Sequence, residues 1–332
     1  MGTIASKKIL LVWIGRLGDL VVSTPFINAL KKKYPNSKIT LLIKNKVYDV
    51  AKMILSVDEI IILPIPVEPK SYFTFIKRIL LDKYDICVDM NSSYSRTSGI
   101  LTKLSRAPIR VSFEKPRAKL FYTHTIAKPS EKEHMLLKFG RLAKFFETEY
   151  IPEMTLDINE THRMKAKKIL ANLGIRRDSF KLLIHPGNFK KYDLRWPKKK
   201  FVAISRKISE LPDVQQIYLA GPGEEKQVKK MLQHLPPSVK YLPPMRITLT
   251  CAILKEIDLL IVCGTGTMHL GATMQTPMLT ILSQYAYECW RPLNENAVSL
   301  TTGDWKTCRT MKPEKVWAEF LKIYQKWKSN PQ

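Results

Sequence analysis

Asp19 is the acidic residue best placed to do chemistry in this sequence. It ends the stretch Trp13-Ile14-Gly15-Arg16-Leu17-Gly18-Asp19, in which an apolar run is followed by a turn framed by two glycines. One interpretation is an N-cap, because an aspartate at a helix start accepts backbone N–H groups. The other is a general base, because a carboxylate within hydrogen-bond reach of an attacking hydroxyl can accept its proton. The two roles are compatible.

A second turn, Gly264-Thr265-Gly266-Thr267-Met268-His269, follows the apolar run Ile261–Cys263 and precedes a helical pattern. At such a turn, free N–H groups and the positive end of the helix favour an anion. The turn therefore predicts an anion site, and a diphosphate fits it best. It lacks the Walker pattern of a P-loop ATPase. His269 is either a structural histidine or a ligand contact, and its place beside the turn favours the contact.

Two further segments combine glycine with charge. After the run Leu182–Ile184 the chain continues with His185-Pro186-Gly187-Asn188, and then with Lys190, Lys191 and Arg195-Trp196-Pro197. These cations either form a solvated basic loop or hold a pyrophosphate. The turn Gly221-Pro222-Gly223-Glu224-Glu225 opens another helix with two carboxylates. Such carboxylates suit the helix dipole, and they also suit the edge at which a ribose diol is held.

Short apolar runs alternate with longer amphipathic segments along the chain, which is typical of βαβ units and a parallel sheet. The predicted strands are Lys8–Ile14, Lys38–Ile43, Glu59–Leu63, Tyr84–Asp89, Ile109–Ser112, Phe180–His185, Gln215–Ala220, Val239–Leu242, Asp258–Cys263 and Pro277–Leu282. The predicted helices include Val21–Tyr34, Tyr72–Leu81, Glu160–Leu173, Lys198–Leu211, Glu224–Leu235, Thr248–Glu256, Thr267–Met274 and Pro313–Lys328.

This order of elements predicts an α/β protein with two Rossmann-like domains and a ligand cleft between the carboxyl ends of their sheets. We expect an N-terminal domain at residues 1–158 and a C-terminal domain at residues 159–312. A last helix at residues 313–332 is expected to pack back toward the N-terminal domain.

The chain of 332 residues carries 55 lysines and arginines against 29 acidic residues, a formal charge of +26. Its 45% hydrophobic content argues against intrinsic disorder. The five cysteines are scattered without a CxxC pair, which argues against a disulfide framework or a zinc ribbon. No apolar run is long enough for a signal segment or a spanning helix, so we expect a cytoplasmic protein. The charge leaves nucleic-acid binding as an alternative, although no helix-turn-helix, RRM or zinc-finger pattern supports it.

Taken together, these motifs resemble the bacterial heptosyltransferases, glycosyltransferase family 9. The resemblance rests on Gly18-Asp19 with Thr24-Pro25, on Thr265-Gly266-Thr267-Met268-His269-Leu270 and on Arg195-Trp196-Pro197. It implies a GT-B fold, in which two Rossmann-like domains face each other across a cleft, with residues 1–158 binding the acceptor and residues 159–312 binding the nucleotide-sugar donor. It also implies transfer of heptose from ADP-heptose to a sugar acceptor.

The resemblance further implies a role for each matching residue. Asp19 would be the general base of an inverting transfer that requires no cofactor or metal. On the donor side, Thr265, Gly266, Thr267 and His269 would bind the nucleotide sugar, and Met245 would lie against the adenine. Glu225 would hold the ribose, with Glu224 as the alternative. Arg195 or Lys191 would contact the phosphates.

Two positions depart from the family pattern. Gly264 stands where the family has aspartate, and Leu194 stands where many members have a phosphate-binding lysine. The donor sugar is therefore open. A second interpretation is a GT-B relative that uses another nucleotide sugar or has lost catalysis.

On the acceptor side, the resemblance implies a phosphorylated, lipid-linked sugar at the cytoplasmic leaflet, with Gly18, Arg117 and Lys119 as candidate contacts. A loose group of basic residues surrounds them: Arg96, Lys103, Arg106, Arg110 and Lys115. Such a group can bind acceptor phosphates and anionic headgroups. We therefore expect peripheral attachment to the inner face of the membrane, weakened by salt and by charge removal at Lys115, Arg117 and Lys119.

Overall fold

The computed structural model describes residues 6–65, 68–187, 189 and 192–329. The chain divides into two compact units, Met1–Asp157 and Ile158–Gln332. Within the described residues, each unit contains one six-stranded sheet whose neighbouring strands all pair in parallel. This is the α/β architecture that the alternating sequence pattern predicts.

The strands of the first unit are β1 (Lys8–Trp13), β2 (Lys38–Lys44), β3 (Glu59–Leu63), β4 (Ile86–Asp89), β5 (Ile109–Phe113) and β6 (His124–Ile126). Its described helices are α1 (Leu17–Val22), α2 (Thr24–Lys33), α3 (Tyr48–Ala51), α4 (Pro69–Leu81), α5 (Arg96–Leu104) and α6 (Met135–Phe145). The strand order is β3-β2-β1-β4-β5-β6. The order reverses between β1 and β4, and ligands of such sheets bind beyond the strand ends at that point.

The second unit repeats this plan. Its strands are β7 (Phe180–His185), β8 (Val214–Leu219), β9 (Lys240–Leu242), β10 (Leu259–Cys263), β11 (Met278–Leu282) and β12 (Ala297–Thr301). Its described helices are α7 (Glu160–Asn172), α8 (Lys198–Ile208), α9 (Glu225–Leu232), α10 (Ile247–Lys255), α11 (Gly266–Thr273), α12 (Gln284–Trp290) and α13 (Pro313–Ser329). The order β12-β11-β10-β7-β8-β9 reverses between β7 and β10.

The central strands form the core of each sheet. Ile9–Val12 of β1 and Leu259–Cys263 of β10 are fully buried runs, as expected for parallel strands that are covered on both faces. Beyond these runs, Asp19 and the Thr265 turn lie where helices α1 and α11 begin. The sheet topology therefore brings both predicted motifs to the switch point of their own unit.

The C-terminal helix α13 belongs to the second unit. The rings of Phe320, Tyr324 and Trp327 lie 5.2 to 6.1 Å from the ring of Phe180 on β7. Val316, Phe320 and Tyr324 join the same buried cluster as Phe201 of α8. Its apolar face is thus buried against β7 and α8 of its own unit.

One predicted helix is wrong in its continuity. Val21–Tyr34 is divided at Ser23, between α1 and α2. The Ser23 and Thr24 hydroxyls donate to the carbonyls of Leu20 and Val21 at 2.7 and 2.8 Å, which competes with helix hydrogen bonding. Pro25 lacks an N–H, which makes it a suitable residue for the first turn of a new helix. The break makes α1 a short, separate helix that carries Asp19.

The predicted strands omit β6 and β12, and the predicted helices of the second unit omit α12. Both strands lie at sheet edges, where β6 pairs only with β5 and β12 only with β11. Neither is the fully buried apolar run by which a central strand is identified from sequence. Across the described part of the chain, no helix is both long and apolar enough to cross a membrane.

Candidate active site

The turn before Asp19 is shaped by Trp13, the last residue of β1. A Cβ at Gly15 would stand 2.3 Å from the Trp13 indole, so only glycine lets the chain cross this ring without displacing it. The indole N–H donates to the carbonyl of Arg16 at 3.2 Å. The turn is thereby fixed on both sides of Gly15.

Asp19 is the third residue of α1 and is half-buried. The N-cap residue is Arg16, which makes no side-chain capping hydrogen bond, so the N-cap interpretation of Asp19 is wrong. An acidic residue in the first turn still has its charge favoured by the helix dipole. Gly18 immediately precedes Asp19 in the same turn. Because glycine has no side chain, the backbone at Gly18 is not covered by a side chain of its own.

A cluster that we did not predict from the sequence lies at the end of β4, directly beside β1. We call it the Asp89 cluster, and its members are Asp89, Asn91, Ser98, Lys115 and Tyr122. Asp89 pairs with Val12 in the sheet ladder and is fully buried. Its Oδ2 accepts from Lys115 Nζ at 2.8 Å, from Tyr122 Oη at 2.6 Å and from Ser98 Oγ at 2.8 Å.

The other oxygen of Asp89 is equally well satisfied. Oδ1 accepts from the backbone N–H of Asn91 at 3.1 Å and from its side-chain amide at 2.6 Å. Five donors surround this carboxylate, and they stabilise its charge in place of water. Asp89 is therefore a structural group and a poor candidate for a general base, and the assignment of that role to Asp19 stays a prediction.

The structure corrects the expectation for Lys115. The sequence interpretation groups it with surface cations, yet its side chain is 3% exposed and its ammonium is paired with Asp89. Burial and the neighbouring Asp89 raise the pKa of Tyr122, so the phenol remains a hydrogen-bond donor. Arg117 and Lys119, in contrast, are exposed, as is Leu120. Of Lys115, Arg117 and Lys119, only Arg117 and Lys119 are therefore exposed to a ligand.

In the second unit, Glu224 lies over the ends of β7 and β8. Its Oε2 accepts from the backbone N–H of Gly221 at 3.0 Å and lies 4.0 Å from His185 Nε2. A Cβ at Gly187 would stand 2.4 Å from His185 Nε2 and 2.8 Å from Glu224 Oε2. The two glycines therefore enclose the carboxylate, and a side chain at Gly187 would displace it.

His185 is buried at the end of β7 and lies 3.1 Å from the Leu219 carbonyl through Nδ1. Burial lowers the pKa of His185, while Glu224 and the Leu219 carbonyl oppose that change in part. The ring is neutral near pH 7, with the Nδ1 proton donated to Leu219. It therefore supports the strand end without adding positive charge to it.

Glu225 and Met245 lie farther out along the same edge. Glu225 begins α9, and its charge contributes to raising the pKa of Tyr241 on β9, although burial is the larger cause. Met245 is half-buried in the segment between β9 and α10. Of the two glutamates in the motif, Glu224 is thus the one packed between Gly187 and Gly221.

The Thr265 turn lies at the end of β10, as predicted, and Gly266 and Thr267 begin α11. Thr265 is the N-cap but makes no side-chain capping hydrogen bond, and its Oγ1 is buried with no partner among the described residues. A buried hydroxyl without a partner is costly unless a ligand or water satisfies it. His269 is buried one turn farther along, with its ring centroid 5.9 Å from that of Trp290.

Cations flank this turn. Trp196 is fully buried and donates through its backbone N–H to Cys263 Sγ at 3.3 Å and through its indole to the Met311 carbonyl at 2.9 Å. Trp196 thereby anchors Arg195, which is buried with its guanidinium 4.8 Å from the Phe189 ring. Lys198 lies 5.2 Å from the same ring, and its pKa is lowered by burial, Arg195 and Lys230. Lys190 and Lys191 lie outside the described residues.

No group of three or more histidine, cysteine or acidic side chains that could hold a metal ion occurs in the described ranges. What the two switch points offer is therefore a carboxylate on a short helix in the first unit and an anion-binding turn flanked by cations in the second. The arrangement is able to bind a phosphorylated ligand in the second unit and to take up a proton in the first.

Comparisons with known proteins identify the family of the chain. The family model described as Glycosyltransferase family 9 (heptosyltransferase) matches residues 72–318. Lipopolysaccharide heptosyltransferase 3 of Escherichia coli is 21% identical over 312 residues, which make up 88% of this chain and 88% of that protein.

Solved structures match over almost the whole chain. A glycosyl transferase of family 9 from Veillonella parvula has a TM-score of 0.84 at 18% identity, covering 96% of this chain and 97% of that one. The E. coli heptosyltransferase WaaC, solved with ADP-2-deoxy-2-fluoro heptose, has a TM-score of 0.71 at 16% identity, covering 96% and 99%. At such identities the likeness concerns the fold, and it confirms the predicted GT-B class.

Proposed function

The chain belongs to glycosyltransferase family 9, the heptosyltransferases, and from that premise we propose an inverting transfer of a heptose or a related sugar. The donor is an ADP-sugar, and the acceptor is a lipopolysaccharide core or another glycan. The first unit binds the acceptor and the second unit binds the donor. The observation that carries the proposal is the Thr265 turn, whose buried Oγ1 lacks a partner among the described residues at the N-terminus of α11.

The donor diphosphate binds at this turn. Gly266 and Thr267 supply backbone N–H groups, and Thr265 Oγ1 supplies a hydroxyl whose hydrogen-bonding capacity is otherwise unused by the described residues. Arg195, fixed by Trp196, supplies charge on the side where the family commonly has a lysine and this chain has Leu194. Lys191, although it lies outside the described residues, is a further candidate. His269, one turn into α11, is a further contact to the donor. As the diphosphate leaves, these groups stabilise its growing negative charge.

The nucleoside binds along the edge formed by β7, β8 and β9. The placement of Glu224 between Gly187 and Gly221 favours this residue as the ribose ligand. Glu225, to which the family resemblance assigns the role, is the second candidate, because it lies one position farther on at the start of α9. Met245, in the loop that follows β9, packs against the adenine.

Asp19 takes the proton of the acceptor hydroxyl. The hydroxyl oxygen then bonds to the anomeric carbon of the donor while the bond from that carbon to the diphosphate oxygen breaks, and the nucleoside diphosphate departs. The saturated hydrogen bonding of Asp89 supports Asp19 as the base. No metal or cofactor is assigned a part in this transfer.

The acceptor carries phosphate groups and is presented at an anionic membrane face. Arg117 and Lys119 bind the acceptor phosphates, and Gly18 leaves room for the acceptor beside Asp19. The exposed residues Arg96, Ile100, Lys103 and Arg106 lie on or just after α5, which packs on the same loop through Gly99 and Phe121. The side chains of Arg96, Lys103 and Arg106 meet anionic headgroups, so vesicle binding should weaken with salt.

The test is a screen of donors against acceptors. Purified protein is mixed with ADP-heptose, other ADP-sugars, UDP-sugars or GDP-sugars and with lipopolysaccharide core acceptors, and both the released nucleotide and the product mass are measured. We expect release and product only with ADP-sugars, with inverted anomeric configuration by NMR. Thermal shift with ADP, UDP and GDP gives an independent measure of base preference, because a ligand of the folded state raises its apparent stability. Transfer only from UDP- or GDP-sugars would refute the assignment of the donor.

A second candidate function rests on Gly264. This residue gives the donor site a hydrogen where the family has a carboxylate, which favours another donor sugar or a loss of catalysis. A Cβ at this position would stand 3.5 Å from Leu282 and 3.7 Å from Ala286, which is ordinary contact, so a side chain is sterically tolerated. If heptose is the donor sugar, Gly264→Asp should keep or raise kcat/KM with ADP-heptose, relative to the control Gly264→Ala. A loss of activity with the aspartate but not with the alanine would favour a different donor.

A further inference from the structure

The Asp89 cluster closes a loop. Lys115 begins the segment 115–122 and Tyr122 ends it, and both donate to the same oxygen, Asp89 Oδ2, at 2.8 and 2.6 Å. The Lys115 ammonium also lies 5.1 Å from the centroid of the Tyr122 ring and donates to the Asn91 carbonyl at 2.8 Å. One carboxylate oxygen thus ties together the two ends of the 115–122 loop.

The interior of the loop is held as firmly as its ends. The N–H groups of Ala118, Leu120 and Phe121 donate to carbonyls three residues earlier, at 3.0 to 3.1 Å. From outside, Arg110 donates through Nε to the Phe121 carbonyl at 3.0 Å. The ring of Phe121 fills the space over Gly99 of α5, where a Cβ would stand only 2.8 Å from it.

Arg117 shows what this support makes possible. Its backbone has φ 61° and ψ 20°, a left-handed conformation that non-glycine residues seldom adopt. Such a conformation persists only where the surroundings impose it, and it is concentrated at functional sites. Arg117 and Lys119 are therefore two exposed cations on one tightly held loop, and both side chains can bind a phosphate group.

The buried ion pair between Asp89 and Lys115 is not needed to stabilise the fold. Replacing a buried ion pair by well-packed apolar residues is often neutral or stabilising, so burial of Asp89 and Lys115 is weak evidence for a purely stabilising role. What charged, directional hydrogen bonds add is a single defined geometry. Preorganised geometry raises affinity because less ordering remains to be done on binding.

We propose that three members of the Asp89 cluster, Asp89, Lys115 and Tyr122, act as a positioning device for the acceptor: they hold the 115–122 loop so that Arg117 and Lys119 meet a phosphate group on the acceptor sugar. The inference rests on the proposed function and deepens it, because it assigns affinity for a phosphorylated acceptor to three buried residues that never touch it. Asp89, Lys115 and Tyr122 are positioning residues, and Arg117 and Lys119 are the ligand contacts.

The experiment compares Tyr122→Phe with Ser98→Ala. Each variant removes one hydroxyl that donates to Asp89 Oδ2, but only Tyr122 belongs to the loop. The probes are a phosphorylated core oligosaccharide released from lipopolysaccharide, the same oligosaccharide after phosphatase treatment, and phosphatidylglycerol vesicles. Transfer kinetics, calorimetric binding of the oligosaccharide and Tm are measured for each protein.

For Tyr122→Phe we expect the acceptor KM, and the Kd for the phosphorylated oligosaccharide, to rise about five-fold, while kcat and donor KM stay within about two-fold. Phosphatase treatment of the oligosaccharide should remove the difference from wild type. Ser98→Ala should lower Tm by a similar amount and leave the acceptor KM unchanged. If the Lys115→Met variant folds, it should raise the acceptor KM more than Tyr122→Phe does.

Equal effects of Tyr122→Phe and Ser98→Ala on acceptor KM would overturn the inference, since the cluster would then be structural only. An effect of Tyr122→Phe that survives phosphatase treatment would also overturn it. Weaker vesicle binding by Tyr122→Phe, with unchanged oligosaccharide binding, would assign the loop to lipid headgroups instead. If wild type transfers no sugar but binds the phosphorylated oligosaccharide, and Tyr122→Phe binds it less, the inference stands while the proposed function fails. Absence of both transfer and binding refutes both.

Discussion

The switch points of the two units share one topology and differ in how their polar groups are satisfied. In the first unit, the carboxylate of Asp89 at the end of β4 receives five hydrogen bonds from its own chain. In the second unit, Thr265 at the end of β10 has a buried hydroxyl with no partner among the described residues. The carboxyl end of the fourth strand thus supports a loop in one unit and carries a candidate ligand site in the other.

The two units have the same sheet plan, so this difference indicates which of the two equivalent strand ends is available to a ligand. A group that is saturated by its neighbours fixes geometry, and a group that is left unsatisfied is available to a ligand. The predictions below test that division, starting with the largest expected effect.

Asp19→Asn tests the assignment of proton transfer to the first unit. We expect kcat to fall by about 100-fold or more, since a positioned general base contributes that much, while the Kd for ADP in the second unit stays the same. Transfer assays and calorimetry measure the two quantities. Wild-type turnover in this variant would show that Asp19 is not the base.

Lys115→Met tests the supporting role of the Asp89 cluster. The variant leaves a buried carboxylate without its counter-ion, so we expect a loss of about 3–5 kcal/mol in unfolding free energy by urea titration. The control is Lys328→Met, which removes the ammonium 3.4 Å from Asp213 at the surface of the second unit and should cost no more than about 1 kcal/mol. Asp89→Asn combined with Lys115→Met should recover part of the loss. Similar costs for Lys115→Met and its control would contradict the distinction between the two regions.

Gly187→Ala tests the donor edge. The added methyl group would lie 2.4 Å from His185 Nε2, which forces His185 or Glu224 to move. We expect the affinity for ADP to fall by about 10-fold, as for a strained, overpacked site. Gly264→Ala, where a Cβ fits at 3.5 Å or more, is the matched control and should bind ADP like wild type. Circular dichroism checks that both variants are folded.

His185→Gln has the smallest expected effect, and it is a pH effect. Burial lowers the pKa of His185 below its ordinary value of 6.5, so the folded state binds this proton less readily than the unfolded state. The stability that neutral His185 contributes is therefore complete above pH 6.5 and is lost as the pH falls from there toward the folded-state pKa. Glutamine can still donate to Leu219 but does not titrate. We expect the variant to lose less stability between pH 7 and pH 5 than wild type, as measured by urea titration at each pH. Parallel pH profiles for the two proteins would contradict this expectation.

The central elements of both units are predictable from the sequence because buried parallel strands are continuous apolar runs. For the same reason, the turns at Asp19 and Thr265 can be located, since each follows such a run and contains glycine. Edge strands such as β6 lack this signal. The break at Ser23 depends on two hydroxyls that turn back onto α1, which apolar periodicity does not detect.

The Asp89 cluster could not be predicted because its members become neighbours only through strand order. Asp89 and Lys115 are 26 positions apart and meet because β4 and β5 are adjacent in the sheet. An exposed basic group is the natural interpretation of Lys115 from composition alone. The choice between Glu224 and Glu225 likewise depends on where α9 begins, a boundary that no motif specifies to a single residue.

The packing of α13 has a consequence for protein synthesis. The first unit is one continuous stretch, Met1–Asp157, so every residue of its sheet is synthesised before translation of the second unit begins. The second unit is different, because Phe180 on its first strand is covered by Phe320, Tyr324 and Trp327 of its last described helix. The Phe180 side of β7 therefore lacks its aromatic partners until nearly the whole second unit has been translated. During this interval the exposed apolar surface makes the nascent chain prone to aggregation.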